Sequence, residues 1–600
     1  MDQSNGLAID AAHGHSNLHF PPGNDSALIY DSRRGRWLSF ANPRSIHTVW
    51  RIEDVVPTLA MLDEAVRRDG SWAVGFLAYE AAPACDPALT VKAPGACPLL
   101  WFGLYDDPLI IPPTTVEEQA RAVFPTPLHW KPSISESAYP QAIARIKTYI
   151  EAGDTYQINF TFRLHAPFDG DPWPVFLRLS QAQGTPYGAF LNTVDWAICS
   201  ASPELFFQLD GNRLLSRPMK GTAPRGLWRT DDLQRATQLK SSEKERAENV
   251  MIVDMMRNDL GRIAGIGSVQ TPRLFEVEQY PTVWQMTSTV GCDTRADLPE
   301  LLCALFPAAS ITGAPKRRAM EIIAELETTP RGIYTGSIGF MAPQRYAQFN
   351  VAIRTVWIDK SKRQAEYGVG GGIVWDSAAH SEFQECYAKA RILSATQPEF
   401  CLLETLLWTP ERGFWLFDEH LDRLLNSARY FAFSADGEAI QRRLAAAVAS
   451  APAHPHKVRL RVARDGNVTV EVLNLPRQQA SPRVCLAKQP VDSSNVFLYH
   501  KTTHRTIYEQ AKRDCPGYDD VLLWNEAGEI TESCIANVLF KRAGEWFTPP
   551  IHCGLLAGVY RAVLLRQGRL KERVLRIEDW NACDEIRLLN SVRGIWKIHL

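Results

Sequence analysis

The chain of 600 residues is too long for one hydrophobic core, so two or more domains are expected. Its composition, 45% hydrophobic and 22% charged, is that of an ordinary globular protein, and no apolar run is long enough to span a bilayer. The net charge of −2 gives no reason to expect nucleic acid or an acidic membrane surface as a partner.

The N-terminus and the cysteines favour a cytoplasmic protein. Residues 1–6 lack a basic segment followed by an apolar stretch, so they do not resemble a secretory signal. The twelve cysteines are scattered without CxxC pairs, which favours reduced thiols over disulfides or a zinc site.

Strand-like and helical patterns alternate along the first two thirds of the chain. The apolar run Trp72–Tyr79 indicates a strand. From Ser135 onward apolar residues recur at helical spacing as far as Gly153, and Thr155–Leu164 then alternates as a strand does. The pattern breaks at Ser394–Glu399.

This break predicts the domain organisation. We expect a first domain at 1–394 with its core at 135–393, a linker at 395–401, and a second domain at 402–600.

Lys220 lies in a segment that the sequence predicts to bend. Pro218 stands two residues before it and Gly221 directly after it. Proline fixes φ, while glycine permits backbone conformations that other residues avoid. Taken alone, a lysine on a bend is usually a solvated surface residue, so its role depends on its surroundings.

Acidic residues at helical spacing could surround a metal ion. One predicted helix carries Glu245 and Glu248 on one face, and a second carries Glu382, Glu385 and Lys389. Carboxylates from two helices can converge on Mg²⁺, which leaves positions for water and an anionic substrate. The alternative is that both are solvated helix faces with ion pairs.

Glycines and an arginine add groups that could bind anions. The run Gly368–Val374 would let backbone amides point at an anion without a Cβ in the way. Arg354 could grip a carboxylate, and Thr312–Lys316 forms a further glycine-containing turn before a helix near Arg318. With Glu204 after an apolar strand, these pieces describe a magnesium-assisted site for a small polycarboxylate.

Residues 135–393 resemble the chorismate-utilising enzymes, the family that contains the component I chains of anthranilate synthase and aminodeoxychorismate synthase. The ordered blocks that carry the resemblance are Glu151–Asp154, Ser202–Glu204, Pro218–Thr222, Ala247–Asn249, Arg257–Leu260, Thr312–Lys316, Arg331–Gly336, Ala352–Thr355 and Gly370–Lys389.

The resemblance implies an α/β (α+β) fold class, with a large α/β sandwich and chorismate bound in a cleft between sheets. It further implies that Glu248 and Glu385 bind Mg²⁺, with Glu245 and Glu382 near it through water. The residues that would hold the substrate are Thr312, Tyr334, Arg354, Lys389 and the backbone amides of Gly370, Gly371 and Gly372. Glu204 would be the general acid or base at the departing ring hydroxyl.

Lys220 discriminates within that family. Anthranilate synthases carry a small residue at this position, whereas aminodeoxychorismate synthases carry a lysine that attacks the ring as a covalent nucleophile. The chain departs from the family pattern twice. Gln285 stands where a histidine is common, which makes proton transfer there doubtful, and Ala379 stands where a proline is usual.

A second lysine lies among possible cofactor-binding residues beyond position 402. Lys501 could form a Schiff base, Glu532 could face a pyridinium nitrogen, and Arg423 could bind a phosphate. Taken alone, each of these residues is more often a surface or ion-paired side chain.

The ordered set resembles the fold-type IV pyridoxal-phosphate enzymes, which have two α/β subdomains and include aminotransferases and 4-amino-4-deoxychorismate lyase. The resemblance implies that Lys501 binds pyridoxal phosphate and later serves as base and acid. Glu532 would partner the ring nitrogen. The phosphate would be held by Arg423 and the backbone of Val559 and Tyr560, with Ser591 nearby.

The two resemblances together imply a bifunctional enzyme that makes 4-aminobenzoate, a folate precursor, from chorismate and ammonia. The sequence has no glutaminase block, so a separate glutamine amidotransferase subunit is expected, and a homodimer through the second domain is possible. The alternatives are an anthranilate- or isochorismate-forming domain joined to an aminotransferase, or a regulatory protein that binds chorismate without turnover.

Overall fold

The computed structural model describes residues 23–122, 128–184, 186–393, 398–475 and 482–599. The chain forms two compact units, one from Met1–Ala223 and Leu239–Thr396, the other from Pro224–Gln238 and Gln397–Leu600. The second unit therefore includes a short segment that the predicted boundaries assign to the first domain. Residues 395–397 of the predicted linker lie outside the described residues.

Antiparallel strands dominate the described chain as far as Leu393. The strands are β1 (Ser26–Asp31), β2 (Arg36–Phe40), β3 (Ser45–Val49), β4 (Trp72–Leu77), β5 (Leu100–Tyr105), β6 (Leu109–Ile111), β7 (Lys131–Pro132), β8 (Gln157–Pro167), β9 (Ala189–Asn192), β10 (Trp196–Ser200), β11 (Leu205–Asp210), β12 (Arg213–Arg217), β13 (Met219–Pro224), β14 (Gln270–Gln279), β15 (Val283–Asp293), β16 (Gly313–Ala314), β17 (Ser337–Ala342), β18 (Tyr346–Val351), β19 (Thr355–Asp359) and β20 (Gln364–Ile373). The helices are α1 (Ile52–Asp69), α2 (Ala82–Cys85), α3 (Pro113–Ala122), α4 (Ala138–Glu151), α5 (Pro172–Gln183), α6 (Arg229–Ser241), α7 (Glu243–Gly261), α8 (Leu298–Leu305), α9 (Lys316–Leu326) and α10 (Ala379–Ala390).

Two sheets of ten described strands each pack face to face in the first unit. One has the order β16-β8-β20-β19-β10-β9-β1-β2-β6 with β7 beside β8, and the other has β13-β15-β12-β11-β18-β17-β4-β5-β3 with β14 beside β15. Ala27 and Ile29 of β1 share a buried cluster with Val74 and Phe76 of β4, so this cluster fills the space between the sheets. Leu28, between Ala27 and Ile29, points to the opposite face of its sheet.

Helices cover the outer faces of both sheets. Val55 of α1, Val253 of α7 and Leu301 of α8 pack with residues of the second sheet. Ile143 of α4 and Phe176 of α5 pack with residues of the first sheet. The four layers confirm the α/β sandwich that the resemblance implied.

The predicted elements occur close to their expected positions. The helix expected from Ser135 is α4, and the strand expected at Thr155–Leu164 is β8, which begins at Gln157. The strand expected at Trp72–Tyr79 is β4 and ends at Leu77. The helix expected near Arg318 begins two residues earlier, at Lys316, directly after a proline that ends the preceding extended segment.

The second unit contains two smaller sheets. Its strands beyond residue 398 are β21 (Leu402–Thr409), β22 (Gly413–Phe414), β23 (His456–Val462), β24 (Val468–Asn474), β25 (Val484–Leu486), β26 (Asp520–Trp524), β27 (Ile530–Ser533), β28 (Asn537–Arg542), β29 (Glu545–Thr548), β30 (Lys571–Glu572), β31 (Glu585–Asn590) and β32 (Gly594–Lys597). Its helices there are α11 (Phe417–Phe431), α12 (Gly437–Ala449), α13 (Thr506–Asp514) and α14 (Val559–Arg566).

Each sheet of the second unit packs with its own helices. The four-stranded sheet, β22-β21-β23-β24, shares a buried core with α11 and α12. The eight-stranded sheet contains β25 to β32 and packs with α13 and α14. This arrangement confirms the two α/β subdomains that were expected.

The segment Pro224–Gln238 is anchored inside the second unit by aromatic and ionic contacts. Arg225 forms a buried ion pair with Asp232 at 2.7 Å and stacks on the ring of Tyr430 at 4.2 Å. Trp228 stacks on Tyr499 with ring centroids 5.2 Å apart. These contacts explain why the segment belongs to the second unit, most of which lies beyond residue 397.

None of the helices in the described ranges is both long enough and apolar enough to cross a membrane. All twelve cysteines are free.

A buried ion pair organises the centre of the first unit. Arg331 is 1% exposed and bonds Glu327 through two nitrogens, at 2.7 and 3.1 Å. The same guanidinium donates to the carbonyls of Ile311 at 2.8 Å and Asn159 at 2.7 Å. It therefore ties together three segments that are distant in sequence.

We expect Arg331→Met to destabilise the first unit by about 3–5 kcal/mol, because it leaves the buried carboxylate of Glu327 without its cationic partner. Chemical denaturation followed by tryptophan fluorescence would measure the free energy of unfolding. The control Arg145→Met breaks the exposed ion pair with Glu325 and should cost less than about 1 kcal/mol. Equal losses of unfolding free energy in the two variants would contradict the structural role of the Arg331–Glu327 pair.

Candidate functional sites

Lys220 lies on a strand, so the predicted bend is wrong. It is the second residue of β13, which pairs with β15 at the edge of its sheet. Pairing holds the segment extended, and the irregularity is confined to Gly221, whose φ of +100° is strained for any other residue. The glycine thus marks a local twist in a strand.

The side chain of Lys220 points at a carboxylate and at a glycine. Its Nζ lies 3.3 Å from Oε2 of Glu248, and both side chains are less than a fifth exposed. A Cβ built on Gly372 would come within 2.5 Å of the same Nζ. Gly372 therefore leaves the room that the lysine amine occupies.

Gln285 and Asn249 fix the strand at Lys220 and at the two residues that follow it. Gln285 donates from Nε2 to the carbonyl of Gly221 at 2.8 Å and accepts from Thr222 Oγ1 at 2.9 Å. Asn249 donates to the carbonyl of Lys220 at 3.1 Å. Gln285, which stands where the family often has histidine, positions the strand of Lys220 through these bonds.

The two acidic helices share one electrostatic environment. Burial and the charge of Glu248 raise the pKa of Glu245, and Glu385 adds to that effect. For Glu385 burial opposes ionisation, but Lys389, with Lys220 and Arg354, outweighs it and lowers the pKa. Glu385 pairs with Lys389 at 2.8 Å. α7 and α10 thus bring together the carboxylates that the sequence singled out.

No group of three or more His, Cys, Asp or Glu side chains is arranged to hold a metal within the described ranges. Glu248 and Glu385 are each paired with a lysine instead. Carboxylate oxygens are nevertheless the ligands that Mg²⁺ prefers, and one or two of them suffice when water and substrate complete the shell. The donor set fits such an ion chemically.

Glu204 is a buried acid beside the strand of Lys220. It is 4% exposed and accepts a hydrogen bond from Ser310 Oγ at 2.6 Å. Burial raises its pKa to about 7, and the bonds from Ser310 and the Met219 amide only partly offset that effect. A carboxyl group with this pKa can hold a proton at neutral pH, which a general acid requires.

Lys389 and Arg354, two of the predicted substrate-binding residues, contact each other. Lys389 donates from Nζ to the carbonyl of Gly370 at 2.9 Å. Arg354, whose φ is +53°, donates to the carbonyl of Lys389. The backbone of Arg354 therefore takes a left-handed conformation that aims its guanidinium at the end of α10.

Tyr334 and Thr312, the other predicted substrate-binding side chains, are held by contacts outside the Arg354–Lys389 pair. Tyr334 lies under the guanidinium of Arg163 at 4.9 Å, and a Cβ on Gly368 would come within 2.1 Å of its ring. Thr312 is fully buried, and its hydroxyl donates to the carbonyl of Ala309 at 3.2 Å. The backbone of Thr312 joins β8 through its carbonyl, which accepts from the amide of Asn159 at 2.7 Å.

The glycine run forms a regular strand and not a turn that wraps an anion. Gly370, Gly371 and Gly372 lie in β20 and pair with β8, opposite Thr161, Phe160 and Asn159. A Cβ on Gly370 would lie 2.4 Å from the carbonyl oxygen of Phe160, so close packing is one reason for glycine there. Ala379, which replaces the usual proline, begins α10, where either residue is accepted.

The second candidate site is a cavity of about 410 Å³ in the second unit. It is lined by all of the residues that the sequence predicted for the cofactor, namely Arg423, Lys501, Glu532, Val559, Tyr560 and Ser591. Its volume suits a small-molecule site.

Lys501 and Glu532 both have pKa values near neutral pH inside this cavity. Burial and the charge of Arg423 lower the pKa of Lys501 to about 8. Burial raises the pKa of Glu532 to about 7, although Tyr508 donates to it at 2.7 Å. If the cofactor is bound, its protonated ring nitrogen would supply the positive charge that the buried carboxylate of Glu532 needs in order to ionise.

Sequence reasoning missed Glu404, which orients Arg423. Arg423 bonds both oxygens of Glu404, at 2.8 and 2.7 Å, and His420 Nδ1 lies 2.6 Å from the same carboxylate. Burial opposes ionisation of Glu404, but Arg423 and His420 hold its pKa well below the usual range. The only signal was a single acidic residue within an apolar strand.

The start of α14 fits a phosphate. Its first residues, Val559 and Tyr560, have amides that an intrahelical bond does not satisfy, and these amides carry partial positive charge. A Cβ on Gly558 would lie 1.9 Å from Oδ1 of Asn537, so only glycine lets the helix begin this close to the cavity. Together with Arg423 and Lys501, these groups fit pyridoxal phosphate.

Comparison with known proteins assigns the two parts of the chain to two families. The model of the chorismate binding enzyme family matches residues 26–395, and the class IV amino-transferase model matches residues 401–600. The aminodeoxychorismate synthase component 1 of Escherichia coli K12 is 44% identical over 271 residues, which are 44% of this chain and 58% of the relative.

Two further relatives bear the name of anthranilate synthase. Anthranilate synthase component 1 3 of Haloarcula marismortui is 41% identical over 261 residues, 43% of this chain and 51% of that protein. The chain thus spans less than two thirds of the length of either curated relative. The crystal structure of anthranilate synthase component I from Streptococcus pneumoniae TIGR4 has 25% identity and a TM-score of 0.52, with 65% of this chain and all of that chain covered.

The matched region of 26–395 contains the whole sandwich and every residue of the Lys220 site. The chain is an enzyme that belongs to the chorismate binding enzyme family, with a class IV amino-transferase region in its C-terminal third.

Proposed function

We propose that the chain makes 4-aminobenzoate from chorismate in two steps. The first unit would convert chorismate to 4-amino-4-deoxychorismate, and the second would eliminate pyruvate from that product. The observation that carries the proposal is the amine of Lys220, which faces Glu248 and Gly372 within the family's matched region.

In the first reaction Lys220 would act as a nucleophile. Its neutral amine forms a bond to a ring carbon, the ring double bond shifts, and the ring hydroxyl leaves as water with a proton from Glu204. Ammonia then adds at the carbon para to the carboxylate-bearing carbon. The double bond shifts back and releases Lys220 as the free amine.

Charged groups around Lys220 would position the substrate. Arg354 and Lys389 are the cations that could bind its carboxylates, and Thr312, Tyr334 and the strand at Gly370–Gly372 form the surrounding wall. Glu248 and Glu385 would bind Mg²⁺ directly, and Glu245 and Glu382 through water. Such an ion would offset the negative charge of substrate and carboxylates.

In the second reaction Lys501 would move protons. Its pKa of about 8 leaves part of it neutral near neutral pH, so Nζ can take a proton from the ring carbon that bears the amine. The same atom can then return a proton to the departing enolpyruvyl group. Pyridoxal phosphate, when bound, supplies an electron sink for the carbanion. Glu532, Arg423, Val559, Tyr560 and Ser591 would hold it.

The relatives' name indicates a source for the ammonia. The Escherichia coli protein is named as a component 1, and that name implies a second component. We therefore propose that a separate glutamine amidotransferase supplies ammonia. A cytoplasmic location and a homodimer through the second unit belong to the same proposal.

An anthranilate-forming first unit is the second candidate, because relatives of that name match the chain. The two activities differ in the carbon that receives nitrogen. Lys220 favours the 4-amino product, since a lysine amine can occupy one ring position while ammonia attacks another.

The full chain with chorismate, Mg²⁺ and ammonium should give 4-aminobenzoate, separated from its isomer anthranilate by chromatography. Lys220→Arg keeps the positive charge near Glu248 but removes the nucleophile, so amination should fall at least about 100-fold, a barrier increase of about 2.7 kcal/mol. The control Lys362→Arg alters an exposed lysine paired with Asp359 and should leave the rate unchanged. Anthranilate as the product, or an active Lys220→Arg, would overturn the first reaction.

The pKa of Glu204 predicts the alkaline limb of the amination rate. Because burial raises that pKa to about 7, the protonated acid is present below pH 7 and is lost as the pH rises through it. Ser310→Ala removes a bond that favours the carboxylate, so the limb should move to higher pH. Ser361→Ala, which removes an exposed bond to Asp359, should not move it. A shift to lower pH would contradict the role of Glu204.

Lys501→Ala should abolish the visible absorbance of bound cofactor and cause 4-amino-4-deoxychorismate to accumulate, because the first site is unaltered. Absorption spectra and product chromatography would measure the two effects. Lys512→Ala, an exposed lysine of α13, is the control. Unchanged release of 4-aminobenzoate by Lys501→Ala would refute the second site.

A further inference from the structure

One face of strand β23 carries a row of cations. Lys457, Arg459 and Arg461 alternate with buried residues, among which Val458 and Leu460 belong to the core of the four-stranded sheet. Successive side chains of a strand point to opposite faces, so the three cations share one face. Neighbouring members of this row, which we call the cation row, are about 7 Å apart along the strand.

The strands on either side offer one carboxylate to this row. From β21, the residues in register with the row are Leu403, Thr405 and Leu407. From β24, they are Thr469, Glu471 and Leu473. Glu471 forms an ion pair with Arg461 and lies 3.6 Å from Arg459. One carboxylate cannot neutralise three cations, so the face keeps positive charge.

The cation row lines the same cavity as Lys501. Of the described residues that line this cavity, eight are Lys or Arg and one is acidic. Several are already engaged, since Arg423 is paired with Glu404 and Arg561 with Glu572 at 2.6 Å. No member of the cation row is among the residues that fit the cofactor, so the charge of the row exceeds what the cofactor needs.

The lowered pKa of Lys457 agrees with an excess of positive charge along the cation row. Burial is the largest cause that lowers its pKa, and the neighbouring cations Arg459 and Arg593 lower it further. Arg593 also lines the cavity. Neighbouring cations repel one another, and a bound anion between them would turn this repulsion into attraction to the anion.

We infer that the cation row Lys457, Arg459 and Arg461 binds the carboxylates of a small dicarboxylate substrate beside Lys501 and selects it over a monocarboxylate. Two carboxylates on one ring can each contact a different member of the row, which a single carboxylate cannot do across about 7 Å. The inference rests on the proposed function, because it takes the Lys501 cavity to be the second active site.

Equilibrium binding of isophthalate and benzoate to the cofactor-loaded full chain tests the inference. The change in absorbance of the bound cofactor reports on this cavity alone. Isophthalate should bind at least about 10-fold more tightly than benzoate, the size expected for one additional charge-assisted hydrogen bond. In Arg459→Gln/Arg461→Gln the ratio should fall toward one.

Two further variants make the test specific. Arg442→Gln/Arg443→Gln removes two charges from the exposed side of α12 and should leave the ratio unchanged. Glu471→Gln removes the carboxylate that competes for Arg461, so isophthalate should bind more tightly than to the parent chain. Glu471→Gln also keeps the test decisive if the double arginine variant does not fold.

The possible outcomes separate the inference from the proposed function. An unchanged ratio in Arg459→Gln/Arg461→Gln, or weaker isophthalate binding in Glu471→Gln, would overturn the inference even if the chain makes 4-aminobenzoate. Conversely, the predicted ratios without release of 4-aminobenzoate would support a dicarboxylate site and refute the lyase reaction.

Discussion

The ion pair between Arg331 and Glu327 is the contact on which the first site depends. Arg331 binds the carbonyl of Asn159, which stands opposite Gly372 in the sheet. Glu327 accepts bonds from the amide and hydroxyl of Thr161, opposite Gly370. The pair therefore fixes β8, against which the glycine strand is built. A buried charge pair is costly to desolvate, and its role here is to hold segments in register.

The two lysines that we propose as reactive groups lie in different environments. Lys220 sits at a sheet edge, 3.3 Å from Glu248, with its strand held by Gln285 and Asn249. Lys501 lies among cations, and burial with Arg423 lowers its pKa to about 8. Hydrogen bonds to the backbone hold the strand of the first lysine, whereas desolvation and like charge lower the pKa of the second. In both cases a nearby carboxyl with a pKa of about 7, Glu204 or Glu532, completes the site.

Local patterns predicted local structure and several of the residues that lie together at the candidate sites. Helical spacing was sufficient to place Glu245 and Glu248 on one face of α7. It could not predict that β13 is extended, because the partner strand β15 lies more than sixty residues away along the chain. Nor could it find Glu404, whose partners Arg423 and His420 are on another element. Alternation does place Lys457, Arg459 and Arg461 together, but only the tertiary fold decides that their face lines the cavity.

The excursion of Pro224–Gln238 into the second unit has a practical consequence. Because this segment follows directly on the strand of Lys220, one break at the junction between Thr396 and Gln397 does not separate the two units. A fragment that ends at residue 396 would carry Trp228 and Arg225 without Tyr499 and Tyr430, the rings on which they stack. Limited proteolysis or gene splitting at the apparent linker would therefore yield an N-terminal piece with an exposed aromatic surface. The unit that holds Lys501 is interrupted in sequence by the unit that holds Lys220.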